Sequence, residues 1–156
     1  MTFPNPDKVY YSEDIFVGYR GFEKRGIKPL FAFGHGLSYT EFEYSDIRLS
    51  KECIKDGEML QASVTITNRG KRAGKEVVQL YIADKESSVT RPAKELKGFE
   101  KVALEPGESK VVTFDITPEA LSFYDDRGEG EWRTESGEYE VLNGSGSDDI
   151  RLTKRV

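Results

Sequence analysis

"LQASVTIT", residues 60–67, decides the fold class. Leu60, Ala62, Val64 and Ile66 fall on one side of an extended chain, and Gln61, Ser63, Thr65 and Thr67 on the other. A side-chain period of two, apolar against polar, is the mark of a half-buried antiparallel strand. Outward from it the pattern repeats. "NRGKRAG" (68–74) supplies turn residues, and "EVVQLYIAD" (76–84) sets Val78, Leu80 and Ile82 against Val77, Gln79 and Tyr81. "ELKGFEKVALE" (95–105) places Leu96, Phe99, Val102 and Leu104 in a less regular run, with a bend expected at Gly98. "EPGE" (105–108) reads as a tight turn, with Pro106 fixing φ and Gly107 free to take positive φ. "KVVTFDI" (110–116) turns Val112, Phe114 and Ile116 inward.

Next, "TPEALSF" (117–123) predicts one helical turn, with Thr117 as N-cap and Pro118 at the first helical position. "GEWRTE", "GEYEVLNG" and "IRLTKRV" supply the last short strands. Seven or eight short strands separated by turn signals predict an all-β fold, an antiparallel β-sandwich. Its core should hold Val64, Ile66, Val78, Leu80, Ile82, Val112, Phe114 and Val141.

The first 44 residues read differently. They carry 11 of the chain's 18 aromatic residues, yet no long periodic pattern runs through them. An aromatic side chain buries roughly 150–250 Å², and a segment this short cannot hide so many rings within itself. Some should pack on the sandwich and others on a surface outside this chain. The segment is expected either to fold back or to pair two chains as a homodimer, with Phe16, Tyr19, Phe31 and Phe33 at the contact. "FGHGLSYT" (33–40) contains the lone histidine, His35, between glycines; without a second ligand or nearby nucleophile it reads as a packed or hydrogen-bonded junction residue.

Composition narrows the function classes. The 156 residues carry a net charge of −5 with scattered positive residues, which excludes a nucleic-acid-binding stripe. No apolar run approaches 18 residues, so no membrane helix is expected. The start "MTFPNPDKVYY" lacks basic and apolar leader regions and reads as no signal peptide. One cysteine, Cys53, excludes an internal disulfide and a cysteine metal cluster, and leans the chain towards the cytoplasm. No cofactor and no metal is expected. Asp125-Asp126 and Asp148-Asp149 read as solvated turns, since calcium loops alternate their ligands. "NGS" (143–145) matches a glycosylation acceptor but reads first as a hairpin turn. Trp132, the single tryptophan, reads as core, with a sugar-stacking platform formed with Tyr124 as the sharper alternative. Tyr139 reads as a tyrosine corner. The loop "DKESSVTRPAKELKGF" (84–99) is the strongest candidate for a role beyond packing, because Arg91, held extended before Pro92, suits an arginine reaching across a domain boundary.

Three stretches carry a resemblance: "YYSEDIFVGYRGFEKRGIKPLFAFGHGLSYTEFEYS" (10–45), "VVQLYIADKESSVTRPAKELKGFEKVALEPGESKVVTFDITPEALSFYD" (77–125) and "GEYEVLNGSGSDDIRL" (137–152). Together, and in this order, they resemble the C-terminal end of glycoside hydrolase family 3 β-glucosidases. The resemblance implies a fibronectin type III-like sandwich over residues 44–156. Residues 1–43 would be the end of the preceding α/β-sandwich domain and its linker, with "TFP" at Thr2–Pro4 marking where that domain ends. It implies the parent's catalytic domains as partners and a β-glucoside substrate reached only through them. Retaining hydrolysis needs two carboxyl groups about 5–5.5 Å apart. In the family these come from the first two domains, the nucleophile in a Ser-Asp-Trp context. Ser45-Asp46 lacks the tryptophan, so no catalytic residue is carried over, and the chain alone should be inactive. A free-standing carbohydrate-binding or adhesion module is the alternative.

Overall fold

A computed structural model describes residues 8–156. The "TFP" stretch and Phe3 lie outside the described residues. Nine strands and two short helices follow in order. The helix α1 is Tyr19–Lys24. The strands β1 (Phe42–Leu49), β2 (Leu60–Asn68), β3 (Gly74–Asp84), β4 (Glu95–Leu104) and β5 (Ser109–Ile116) come next. After the turn α2 (Pro118–Leu121), headed by Thr117, come β6 (Phe123–Asp125), β7 (Glu131–Arg133), β8 (Tyr139–Gly146) and β9 (Asp149–Arg155).

Seven of these strands build an antiparallel sandwich, one sheet ordered β1-β2-β5 and the other β4-β3-β8-β9. The hairpin β6-β7 pairs only with itself and belongs to neither. In the smaller sheet Val64 faces Val112 and Ala62 faces Phe114 across the β2-β5 register, so each strand's apolar set lands on one side. The core between the sheets holds all eight residues expected there. Gln61 and Thr113 stand outside and Ser63 and Thr65 are half-buried, as the alternation requires.

β4 bends where the sequence breaks. A register shift opposite Leu80 and Tyr81 leaves Lys97 as an extra residue, and Gly98 lets the Phe114 ring approach its backbone. A Cβ on Gly98 would stand 3.1 Å from Phe114 Cδ1. Ser45-Asp46 lies at a second bulge, in β1, where Asp46 takes φ 54°. It is a kink in an edge strand.

Three expectations need correction. Asp125, read with Asp126 as a solvated turn, ends β6 with its side chain only 7% exposed, because Arg127 and Arg133 close over its carboxylate. Trp132 is 70% exposed, because the strand that carries it stands outside both sheets. Asn143-Gly144 is no hairpin turn: β8 runs through it, and the reversal comes at Ser147-Asp148. Asn143 is fully buried, its amide donating to the Gln79 carbonyl at 3.3 Å. That burial keeps the Asn-Gly-Ser acceptor away from modifying enzymes in the folded chain. Gly144 is needed because a Cβ there would overlap the Asp149 carbonyl across the β8-β9 bulge.

Two polar fixtures tie loops to the core. Fully buried Asn68 accepts from Thr40 Oγ1 at 2.6 Å and from the Gly70 N–H at 3.0 Å. Its amide donates to the Arg72 and Leu104 carbonyls at 2.8 and 3.0 Å. Tyr139 forms the expected tyrosine corner, its hydroxyl donating to the Glu135 carbonyl at 2.9 Å.

Candidate functional site

β3 reads as half-buried but is covered on both sides. Val78, Leu80 and Ile82 face the core, while Gln79 and Tyr81, on the other face, are as deeply buried. The cover is the N-terminal segment, residues 16–40, folded onto the outside of the larger sheet. A near-continuous apolar run, Val77 to Ala83, is the sequence signal for two covered faces.

Tyr19 anchors this cover. Its ring meets that of Tyr81 edge-on at 5.9 Å, and its hydroxyl accepts the Leu96 N–H at 2.8 Å. Phe33 lies 5.5 Å from Tyr19, ring to ring. The Phe33 carbonyl accepts the Ser147 N–H at 2.8 Å. Gly34, at φ 88°, crosses directly over the Gln79 amide, leaving no room for a side chain. Beneath it Gln79 Nε2 donates to the Ser145 carbonyl at 2.9 Å, and the Tyr81 hydroxyl donates to Gln79 Oε1. Burial raises the Tyr81 phenol, with Tyr19 and Glu23 adding to it, so it stays a donor at neutral pH.

Charged pairs that motif reading missed fasten the rim. Glu23 pairs with Lys94, and Arg20 with Glu95 at 3.2 Å. Glu95 also accepts Arg91 Nη2 at 2.7 Å. Burial alone would raise the Glu95 carboxyl, but Arg91, Lys97 and Arg20 outweigh it and hold the group below its ordinary value. Lys97 is lowered by burial, against the pull of Glu95.

Arg91 is turned inward, its side chain 7% exposed. Nη1 donates to Asp84 Oδ2 at 3.1 Å and to the Leu121 carbonyl at 3.0 Å, and the guanidinium lies 5.8 Å from the Phe123 ring centroid. The arginine expected to reach across a boundary is thus already committed to three acceptors of this chain. Through Glu95 and Arg20 it joins the N-terminal segment to the base of the β6-β7 hairpin.

The structure brings Tyr19, Phe33 and, through those ion pairs, Arg91 together. Phe31 lines the same groove as Tyr19 and Phe33, and its ring lies 5.0 Å from that of His35, both residues exposed. Phe16 stands apart, half-buried, with Lys24 Nζ 3.4 Å from its ring centroid. Leu30, Phe31, Leu37 and Tyr39 all face solvent, Leu37 at 95% and Phe31 at 67% exposure. Between α1 and the 27–33 loop lies a groove lined by Tyr19, Phe22, Ile27 and Phe33, with Glu23 at its side. Glu23 Oε2 is buried there without a hydrogen-bond partner.

A second cleft, beside β1 and β9, contains acids. Burial raises the Glu76 carboxyl despite its hydrogen bond from the Tyr44 hydroxyl at 2.8 Å, while Arg151 lowers Asp149. Arg151 also donates to the Phe42 carbonyl at 2.7 Å and lies 4.8 Å from the Tyr44 ring centroid. These groups satisfy one another and clamp β9 to β1; they form a joint between the two sheets. Among the described residues no three His, Cys, Asp or Glu side chains assemble as a metal site, and no helix is long and apolar enough to cross a membrane.

Comparison with known proteins agrees with this architecture. Residues 76–147 match the fibronectin type III-like domain. The whole chain is 52% identical to thermostable beta-glucosidase B of Acetivibrio thermocellus, of which it spans 21%. Beta-glucosidase BoGH3A of Bacteroides ovatus is 49% identical over 92% of the chain and 19% of its own length. Beta-glucosidase 3B of Thermotoga neapolitana, solved in complex with glucose, superposes with a TM-score of 0.88 and 45% identity over 97% of this chain and 20% of its own. The chain therefore spans about a fifth of the relatives it matches. The two-sheet strand order, the matched domain and the likeness along the full chain together establish that it belongs to the fibronectin type III-like domain family, in the form carried by glycoside hydrolase family 3 β-glucosidases.

Proposed function

We propose that the chain is the accessory module of a family 3 β-glucosidase, seating and orienting catalytic domains that lie outside it. The parent reaction is then hydrolysis of terminal non-reducing β-D-glucosyl residues through a covalent glycosyl-enzyme, with both carboxyl groups supplied by those domains. One observation carries this reading. The N-terminal segment is fastened to the sandwich on its inner side, while its outer side leaves Leu30, Phe31, Leu37 and Tyr39 in solvent. Exposed apolar patches of more than a few hundred Å² mark interaction sites on soluble proteins. The catalytic domains are the partner for this face, with the apolar groove between α1 and the 27–33 loop as part of it. In the isolated chain the same face is expected to pair two copies. The exposed lone Cys53 suits a reducing, cytoplasmic setting.

The test is reconstitution. The Acetivibrio relative, expressed without its matching segment, is mixed with this chain, and aryl β-glucosidase activity is followed. The chain alone should release no nitrophenol, and adding it should restore or stabilise activity in the truncated enzyme. The double variant Phe31→Ser/Leu37→Ser should fail to do so while keeping its own melting transition. No association between the two pieces would overturn the reading.

A further inference from the structure

The β6-β7 hairpin has a feature that the face on the N-terminal segment does not explain. Its register sorts its residues onto two faces. Phe123, Asp125, Glu131 and Arg133 share one of them. On that side the Arg91 guanidinium lies 5.8 Å from the Phe123 ring centroid. Asp125 accepts Arg127 Nε at 2.7 Å, with Arg133 Nη1 3.5 Å away, and Arg133 also pairs with Glu131 at 3.1 Å. The charged groups of the hairpin are therefore paired with one another there. Tyr124 and Trp132 stand directly opposite each other on the other face, 55% and 70% exposed. Their rings are 5.6 Å apart and inclined at 70°. Gly130, at φ 80°, lets the turn pass close to the Tyr124 ring, where a Cβ would stand 2.9 Å from Cζ. A hairpin that belongs to neither sheet is thus held from one side and offers two large rings from the other.

We propose that Tyr124 and Trp132 form a second docking point for the catalytic domains of the parent enzyme, separate from the face on the N-terminal segment. The proposal rests on the module reading above and names a further contact within it. A tyrosine and a tryptophan with the neighbouring charges turned away match the buried centre of a protein interface. A sugar stacked on a ring needs polar partners for its hydroxyls, and the hairpin turns its charged residues to the opposite face. A second copy of this chain is too small an occupant. At these exposures the two rings offer roughly 200–300 Å² between them. Two hairpins in contact would then bury about 400–600 Å², well short of the roughly 1,200 Å² at which stable interfaces begin. A covalently attached partner needs no such area, because attachment sets a high effective concentration. The relatives supply that partner. The Acetivibrio enzyme matches this chain throughout, hairpin included, and the match spans 21% of its length, leaving about four-fifths outside. Arg91 adds a geometric reason, since it joins the Leu121 carbonyl at the base of the hairpin to Glu95, which pairs with Arg20 of the N-terminal segment. Both docking points therefore belong to one frame and meet their partner at a fixed separation.

The test uses the intact chain and the truncated Acetivibrio relative. Hydroxyl-radical footprinting, read by peptide mass spectrometry, follows oxidation of Tyr124 and Trp132 with the chain free and in the complex. Both residues should oxidise readily in the free chain and be strongly protected in the complex. Trp132→Ala should weaken association by about tenfold or more without moving the thermal transition of the free chain, and Trp132→Phe should recover most of the loss. Tyr124→Ser should weaken association in the same direction. Association that leaves both residues as reactive as in the free chain would overturn this proposal alone and leave the module reading standing. Failure of the two pieces to associate would sink both. Protection of the rings by cellopentaose without the partner would make a sugar the occupant, and protection on concentrating the free chain would make it a second copy; either result defeats the proposal.

Discussion

The Tyr19 hydroxyl accepts the backbone N–H of Leu96 at 2.8 Å, a bond spanning 77 positions that locks the N-terminal segment onto the bulged end of β4. Tyr19→Phe removes the acceptor and leaves the ring on Tyr81. A net loss of about 1 kcal/mol is expected for one such bond. Hydrogen exchange should quicken in α1 and at Leu96 while the β2 amides stay protected. Uniform acceleration across the chain would mean that segment and sandwich unfold as one unit.

Phe114 fills the core between the two sheets and rests against Gly98. Phe114→Ala should destabilise by about 3–5 kcal/mol in urea denaturation. Gly98→Ala should also destabilise, because its Cβ meets the ring, but less so when Phe114 is already alanine. A double-mutant cycle reads that coupling.

Removing the Arg91 guanidinium would leave Asp84, its side chain 3% exposed, without that partner. Breaking a buried pair from one side costs about 3–5 kcal/mol. Arg91→Ala should therefore lower the melting temperature sharply. Arg91→Lys should recover only part of the loss, since an ammonium cannot span Asp84, Glu95 and the Leu121 carbonyl together.

Hydrogen bonds from Arg127 hold the Asp125 carboxyl at about 2, below its ordinary value. A depressed carboxyl contributes order that is complete above its unfolded value, about 3.9, and is lost as pH falls through the folded one. Trp132 fluorescence should stay constant from pH 7 to about 4 and change between there and about 2. In Asp125→Asn that acid transition should vanish, with the hairpin already loosened at neutral pH.

Much of this was legible in the residues, and the limits are instructive. Period-two alternation placed the core of β2, β3 and β5, because an antiparallel strand must put alternate side chains on one face. It could not tell that Gln79 and Tyr81 are buried too, since their cover, Gly34 and Tyr19, comes from a segment far earlier in the chain. The expectation for Trp132 came from tryptophans in sandwich strands, and "GEWRTE" forms a strand that is not part of the sandwich. Asn143-Gly144 carried a turn signature, yet the glycine answers a close approach by Asp149. The contact residues were read from aromatic crowding alone, which found Tyr19 and Phe33 but not the ion pairs of Glu23, Lys94, Arg20 and Glu95 that fasten them.

The roof over Tyr81 bears on how such a module is excised. A cut at Tyr44, where the sandwich pattern begins, would keep nearly every sandwich strand residue yet strip the cover from the central strand of the larger sheet. Tyr81 and Gln79 would then lie open beside Val77 and Phe99, on a flat face of the kind that drives sheet-to-sheet sticking. A fragment trimmed to the sandwich alone should be less soluble than the longer chain. Grafting onto another scaffold calls for a boundary upstream of Phe16.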